Sequence, residues 1–434
     1  MTPTSAATGD SGAGISKGSG DTGPKIGTLS VPCGKAPGGA APKAPTTAGP
    51  GVSADKIKIA VISDRAAVVK VPTASIEESM QAFVDWCNGF GGINGRQLEL
   101  TKIDSKLFSH LEATTEACDA GVFAIVGSGS VTDNQGAQKR VDCGLIEVPA
   151  YTVTAAKGLS EGLVAPIPNP TDWYNVGPAR WIKEHYPDTI KKAAIIHGKI
   201  DAVKVQAARY KKAYEAQGFD FVYDKETEVI QENYAAEAKE MKDAGVKYVT
   251  MISATSETVK LLHDMKTQGF SPKVIDLGQQ FYDPELLAEP GSEGAHVLLN
   301  TTPFEEAKSS PALQAYLAAY AKVDSKGKPQ PTSLGVQAFS AGLLFAQATK
   351  AAGDDLSRAS VLSQLKKITS WDGGGFQFVA NPGDNAVSTC FMYSVVKNGK
   401  FVREYPDKAN TWHCNKDYAY DLHDDYGGGA KKAN

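Results

Sequence analysis

No apolar run in this 434-residue chain approaches the length needed to span a membrane. It has no Gly-Lys pair followed by Ser or Thr and no HExxH. Phosphate-loop and zinc-protease chemistries are therefore not announced. The seven histidines are scattered, and no two of the six cysteines are in CxxC spacing. No metal, cofactor or catalytic residue is expected. A net charge of -4 leaves no electrostatic footprint for nucleic acid. Residues 1–54 are mostly Gly, Pro, Ser, Thr and Ala and hold no aromatic side chain. Such a segment cannot bury enough apolar surface to offset its ordering entropy. It reads as a flexible tether or an added expression tail, and its linker-like composition favours the tether.

What is present begins with Gly91-Gly92-Ile93-Asn94-Gly95-Arg96. Ahead of it, Ser75 and Glu78 have capping-box spacing, and Met80, Phe83, Val84 and Cys87 share one helical face. Glycines end that helix, Asn94-Gly95 is a tight-turn pair, and Gln97–Ile103 alternates as a strand. From residue 55 the pattern is regular. Strands are expected at 57–63, 98–103, 122–127, 145–150, 193–197, 219–223, 248–253, 273–277 and 296–300. Helices at 203–217, 234–244 and 257–268 each stop at a glycine, Gly218, Gly245 and Gly269. Alternation of this kind implies parallel sheets covered on both faces, and the length favours two lobes. The Pro166–Pro170 run is a plausible hinge. Helices at 311–322, 333–352 and 359–367 follow without strands between them. Trp371–Lys400 reads as a β-segment with a hairpin turn at Asn398-Gly399.

Adjacent parallel strands would bring Cys118 and Cys143 together. Cys390 and Cys414 would pair across neighbouring strands, and Cys33 and Cys87 remain by elimination. The alternative is six buried thiols in a reducing compartment; the tether favours disulfides and export.

A helix ending in Asn-x-x-Gly-Gly, followed by Ile-Asn-Gly-Arg and a strand, resembles the leucine-binding family of type 1 periplasmic solute-binding proteins. Ile195-Ile196-His197 resembles the strand that opens the family's second lobe. Trp371–Phe378 with Asn381–Asp384 resembles its third crossover. The resemblance covers nearly everything after residue 55. It implies an α/β fold of two doubly wound parallel-sheet lobes joined by a three-crossover hinge. Lobe I would take 55–169 and 303–372, and lobe II 170–302 and 373–434. It also implies an extracytoplasmic monomer that hands a small molecule to a membrane ABC permease. The tether then suggests a lipoprotein whose signal sequence and lipidated cysteine are not part of this chain.

Ligands of open parallel sheets bind beyond the carboxyl ends of the strands. Asp64 and Arg65 follow the first strand; Arg65 would hold a carboxylate, or else form a surface ion pair. Ser128, Gly129 and Ser130 follow the third, where the family binds a ligand carboxylate through a serine hydroxyl and backbone amides; the alternative is a helix-capping turn. Tyr151 and Thr152 follow the fourth, at the family's second backbone and hydroxyl contact. In the second lobe Asp201, Thr255, Gln279, Gln280 and Phe281 follow successive strands. Phe281 would stack on a ring or pack in the core. Amino-acid-binding members carry an aromatic residue where Ala202 stands, often a tyrosine near Thr255, and a carboxylate near Gln279. An ammonium facing Gln279 would lose its charged partner, worth roughly 2–5 kcal/mol in a desolvated cleft. The ligand class expected is small and polar or anionic: amino-acid-like, carboxylate, aromatic acid or amide. A sensor domain of the same fold is the alternative, and a hydrolase-type enzyme comes third.

Overall fold

The computed structural model describes residues 15–17, 24–36, 42, 49–67, 73–354 and 356–432. The first sheet is built on β1 (Lys56–Ser63), whose IKIAVIS run is buried almost throughout. Parallel to it lie β2 (Gln97–Asp104) on one side and β3 (Ala124–Val126), then β4 (Ile146–Val148), on the other. The order β2-β1-β3-β4 reverses direction at β1, which opens a crevice beyond the strands' carboxyl ends.

The segment that joins the first helix (Ala74–Gly89) to β2 has a defined cause at each residue. Asn88 Oδ1 accepts from Leu98 N at 2.8 Å and its Nδ2 donates to Leu98 O at 2.9 Å, so the amide acts as a surrogate strand edge. Gly92 sits at φ +76°, and a Cβ there would lie 2.0 Å from Arg96 O. Asn94 and Gly95 both take positive φ, as a tight reversal requires. The capping box expected from Ser75 and Glu78 does not form. The helix begins at Ala74, so Ser75 lies inside its first turn. Its hydroxyl meets Thr332 Oγ1 at 2.6 Å, and Glu78 pairs with Lys102 at 2.7 Å.

The second sheet carries β5 (Ala193–Gly198), β6 (Phe221–Thr227), β7 (Tyr248–Ile252), β8 (Val274–Leu277) and β9 (His296–Leu299), all parallel. β10 (Cys390–Lys397) and β11 (Lys400–Tyr405) extend it antiparallel, giving the order β6-β5-β7-β8-β9-β10-β11. The sheet is thus mixed rather than purely parallel, because β10 returns from the far end of the chain.

After β9 the chain goes back to the first lobe. Helix Ser333–Ala352 is apolar nearly all round and is buried accordingly. It lies on Ala74–Gly89, with Phe83 and Phe339 edge to face at 5.6 Å. From Trp371 to Ala386 only isolated bridges form, Trp371 with Ala380, Gln377 with Thr301 and Asn381 with Ala386, so the expected β-segment becomes a strand only at Cys390. The turn at Asn398-Gly399 has positive φ at both positions, as expected.

Two stretches depart from the expected lobe assignments. Pro24–Ile26 and Leu29–Ser30 form a hairpin rather than a free tether. Ile26 and Val31 enter the first lobe's core, and Thr28 N donates to Gly374 O at 3.0 Å. At the other end, Ala419–Asp421 pairs with Trp173–Asn175, and Ala430 packs on Ala137 and Val141 of the first lobe. The C-terminal stretch therefore spans both lobes. Three disulfides are present, Cys33–Cys87, Cys118–Cys143 and Cys390–Cys414. Among the described residues no helix is long and apolar enough to cross a membrane.

Candidate functional site

A cavity of about 420 Å³ lies between the two sheets' carboxyl ends, within the range of about 300–1,000 Å³ usual for small-molecule sites. The first lobe contributes Leu107, Val131, Tyr151, Thr152, Leu334 and Gln337. The second contributes Ile200, Val203, Gln206, Tyr210, Met251, Gln279 and Gln280, and the crossovers add Asn169, Trp173, Val387 and Phe391. Most of this wall is aliphatic or aromatic.

Five expected loops meet here, but many of the expected side chains do not face the cavity. Asp64 is almost fully buried and accepts from Ser105 Oγ (2.6 Å), Ser130 Oγ (2.8 Å), Val131 N (2.8 Å) and Leu107 N (3.1 Å). Burial pushes its carboxyl up, and these hydrogen bonds pull it back down. Its role is to hold two loops, so that Leu107 and Val131 present apolar surface to the cleft. Ser130 is consumed by that brace. Ser128 donates instead to Glu147, which is paired at 2.6 Å with Lys157 and at 3.2 Å with Arg140. Burial alone would raise Glu147, but the two cations outweigh it and hold the carboxyl below its usual range.

Arg65 reaches away from the cleft, half exposed, to Glu77 at 2.5 Å. Gly129 lies under Tyr151, whose Cε1 would be 2.2 Å from an added Cβ. Asp201 is exposed at the start of helix Asp201–Ala216 and off the cavity wall. Thr255 is buried, with its hydroxyl 3.5 Å from Gln280 O. Phe281 is fully buried in the second lobe's core, the packing role that had been its alternative. Tyr151, Thr152, Gln279 and Gln280 do line the cavity. The Tyr151 hydroxyl has no hydrogen-bond partner among the described residues, so it is open to a ligand.

Residues not singled out from the sequence complete the wall. Val203, Gln206 and Tyr210 recur at helical spacing on Asp201–Ala216, a pattern visible in the sequence once that helix is known to border the cleft. Below them Asp276 accepts from Tyr248 (2.5 Å), Tyr210 (2.9 Å) and Tyr214 (3.2 Å) on one oxygen and Tyr393 (2.9 Å) on the other. Burial raises its carboxyl above the usual range even against these donors. Contacts cross between the lobes at Gln206, which donates to Val153 O, and at Gln337, which donates to Gln279 Oε1 at 2.7 Å.

Solved structures share this architecture. A fatty acid ABC transporter substrate-binding protein from Thermomonospora curvata superposes with a TM-score of 0.70 at 18% identity, over 87% of this chain and 100% of that one. A leucine binding protein from Thermotoga maritima gives 0.67 at 16% identity, over 83% and 99%. A solute binding protein from R. palustris in complex with benzoate gives 0.66 at 15% identity, over 80% and 95%. At these identities the likeness speaks for the fold. Among curated proteins none matches the sequence. The sequence profile described as Periplasmic binding protein matches residues 56–400. With that match and two α/β lobes closing on one cavity, the chain belongs to the periplasmic binding protein family, extracytoplasmic solute-binding proteins that are not enzymes.

Proposed function

We propose that this protein is the solute receptor of an ABC importer and that its ligand is a small molecule with a large apolar body and no α-ammonium group. The observation that carries this reading is the cavity wall, where Leu107, Val131, Val203, Met251, Leu334 and Phe391 surround the available space. Burying an acyl chain or ring against such a wall yields about 25 cal/mol per Å². An α-ammonium finds no carboxylate free of other donors. Gln279 replaces the acidic residue and is engaged by Gln337, and four tyrosine hydroxyls already donate to Asp276. The similar fatty acid transporter substrate-binding protein and the benzoate complex agree with an apolar-bodied ligand.

In this reading the ligand stabilises the closed lobes through its differential affinity, and the closed surface is what a permease recognises. The receptor works as a monomer held to the membrane by a lipidated N-terminal extension. Thermal-shift screening followed by calorimetry tests the ligand class, using C6–C12 acids and alcohols, aromatic acids, and leucine and valine. Stabilisation by apolar-bodied compounds is expected. A response to leucine or valine alone would overturn the reading.

A further inference from the structure

Arg209, on helix Asp201–Ala216, lines the cavity and is 1% exposed. Its guanidinium is held only by neutral oxygens. Nε donates to Thr171 O at 2.9 Å and Nη1 to Gln206 Oε1 at 3.1 Å. Nη2 lies 3.1–3.2 Å from Pro170 O, Trp173 O and Asn169 Oδ1. The Tyr174 ring lies 5.6 Å from its central carbon. Among the described residues it makes no ion pair with a carboxylate. The carboxylate that acts on it is Asp172, whose own Oδ1 is buried without a hydrogen-bond partner among the described residues; with no ion pair between the two, the buried cation is only partly compensated.

Arg209 and Asp276 are the two formally charged residues on the cavity wall. They are not equivalent. Asp276 already accepts from four tyrosine hydroxyls, three on Oδ2 and one on Oδ1. Arg209 Nη1 makes a single bond and retains a second N–H. The cavity therefore offers one cation with donor capacity to spare, and one carboxylate already turned into a cage of tyrosine hydroxyls.

We infer that Arg209 receives the carboxylate of an anionic ligand whose apolar body fills the rest of the cavity. This rests on the cavity being the ligand site. Arg209 grips the crossover at residues 170–173 and touches Gln206, which reaches Val153 of the first lobe. A carboxylate bound there thus sits against both hinge and lobe contact.

Calorimetry on the full chain with matched pairs tests this: octanoate against 1-octanol, and 4-phenylbutyrate against 4-phenylbutanol. In the unaltered protein each acid should bind at least 30-fold more tightly than its alcohol. Arg209→Gln should reduce that ratio to within threefold, leaving alcohol affinity within threefold of the original, and Arg209→Lys should restore part of it. A purely structural role for Arg209 would weaken acid and alcohol alike. Equal binding of acid and alcohol by the unaltered protein overturns the Arg209 assignment and leaves the apolar-ligand reading standing, whether or not any variant folds. Retention of the ratio in Arg209→Gln does the same. Failure of both members of both pairs to bind overturns the cavity reading, and this inference with it.

Discussion

Gln337 donates across the cleft to Gln279, 2.7 Å from Nε2 to Oε1, and so joins the long helix on the first lobe to the loop beyond β8 on the second. Ser333 Oγ adds a longer contact to Gln279 O at 3.4 Å. The closed arrangement thus has a polar latch of its own, beside whatever a ligand contributes.

Cutting that latch should open the lobes. A side-chain hydrogen bond of this kind is worth about 0.5–1.5 kcal/mol. Gln337→Ala is expected to weaken ligand binding about threefold to tenfold, mainly through faster release. It should also enlarge the ligand-free radius of gyration in small-angle scattering. An unchanged radius with unchanged affinity would show that the contact is incidental.

Ser130 and Gln279 should separate in their effects, although both were expected to touch ligand. Ser130 donates to Asp64 and lies off the cavity wall. Ser130→Ala is expected to lower stability by about 1 kcal/mol, with ligand affinity nearly intact. Asp64→Ala leaves Val131 N and Leu107 N without their acceptor and should lower stability by about 1–3 kcal/mol or more. Chemical denaturation alongside calorimetry distinguishes these outcomes; a large affinity loss in Ser130→Ala would return that hydroxyl to the site.

Gly129 supports one wall of the cavity by having no side chain. A Cβ would lie 2.2 Å from Tyr151 Cε1, and a ring cannot yield as a flexible chain would. Gly129→Ala should displace Tyr151, lower stability by about 1–3 kcal/mol and weaken ligand binding about tenfold. Normal stability and affinity together would mean that the ring moves freely.

Acid should destabilise the first lobe through His110. Burial, with Lys157 adding to it, lowers its pKa to about 3. A histidine in the unfolded chain titrates near pH 6.5. Between those values the unfolded state holds the extra proton, so stability falls with falling pH, by up to about 1.4 kcal/mol per unit. Asp133 acts in the opposite direction. Burial raises it to about 7, so the folded state holds its proton first and gains stability as pH falls from about 7 towards 4. His110→Gln removes the first effect and keeps the second. Between pH 6.5 and 4.5 the variant's unfolding free energy should fall less than that of the original protein. Parallel curves would refute this account.

Opening Cys33–Cys87 should release the N-terminal hairpin. The bridge closes a loop of 54 residues, for which about 2–4 kcal/mol of stabilisation is typical. Cys33→Ser with Cys87→Ser should lower the melting temperature by several degrees and make residues 24–36 susceptible to protease. Continued protection of that segment would mean that Ile26 and Val31 suffice to hold it.

Much of the fold was legible because its signals are local. Gly218, Gly245 and Gly269 each stop a helix at positive φ, and alternation or apolar runs mark the strands. The cleft loops followed from strand order. Which way a polar side chain turns within a loop was not legible, because its partners are remote. Asp64 turns inward for Ser105, Ser130 and the amide of Val131, and Ser128 for Glu147. Arg209 escaped notice for the same reason, since its acceptors lie at 169–173 and only the folded hinge brings them to its helix. The hairpin at residues 24–30 has too little sequence pattern to mark it; its binding energy comes from the groove that receives Ile26, made largely by residues hundreds of positions later.

That hairpin also fixes how the molecule bears load. Tension applied upstream of residue 15 would first load the pairing of Ile15–Lys17 with Pro24–Ile26, then the strands at 24–30 and the Thr28–Gly374 bond. Peeling would then stop at Cys33, where a covalent link passes the force into helix Ala74–Gly89. A pull from the N-terminal side is thus carried into the first lobe, while the second lobe's main sheet lies outside that path.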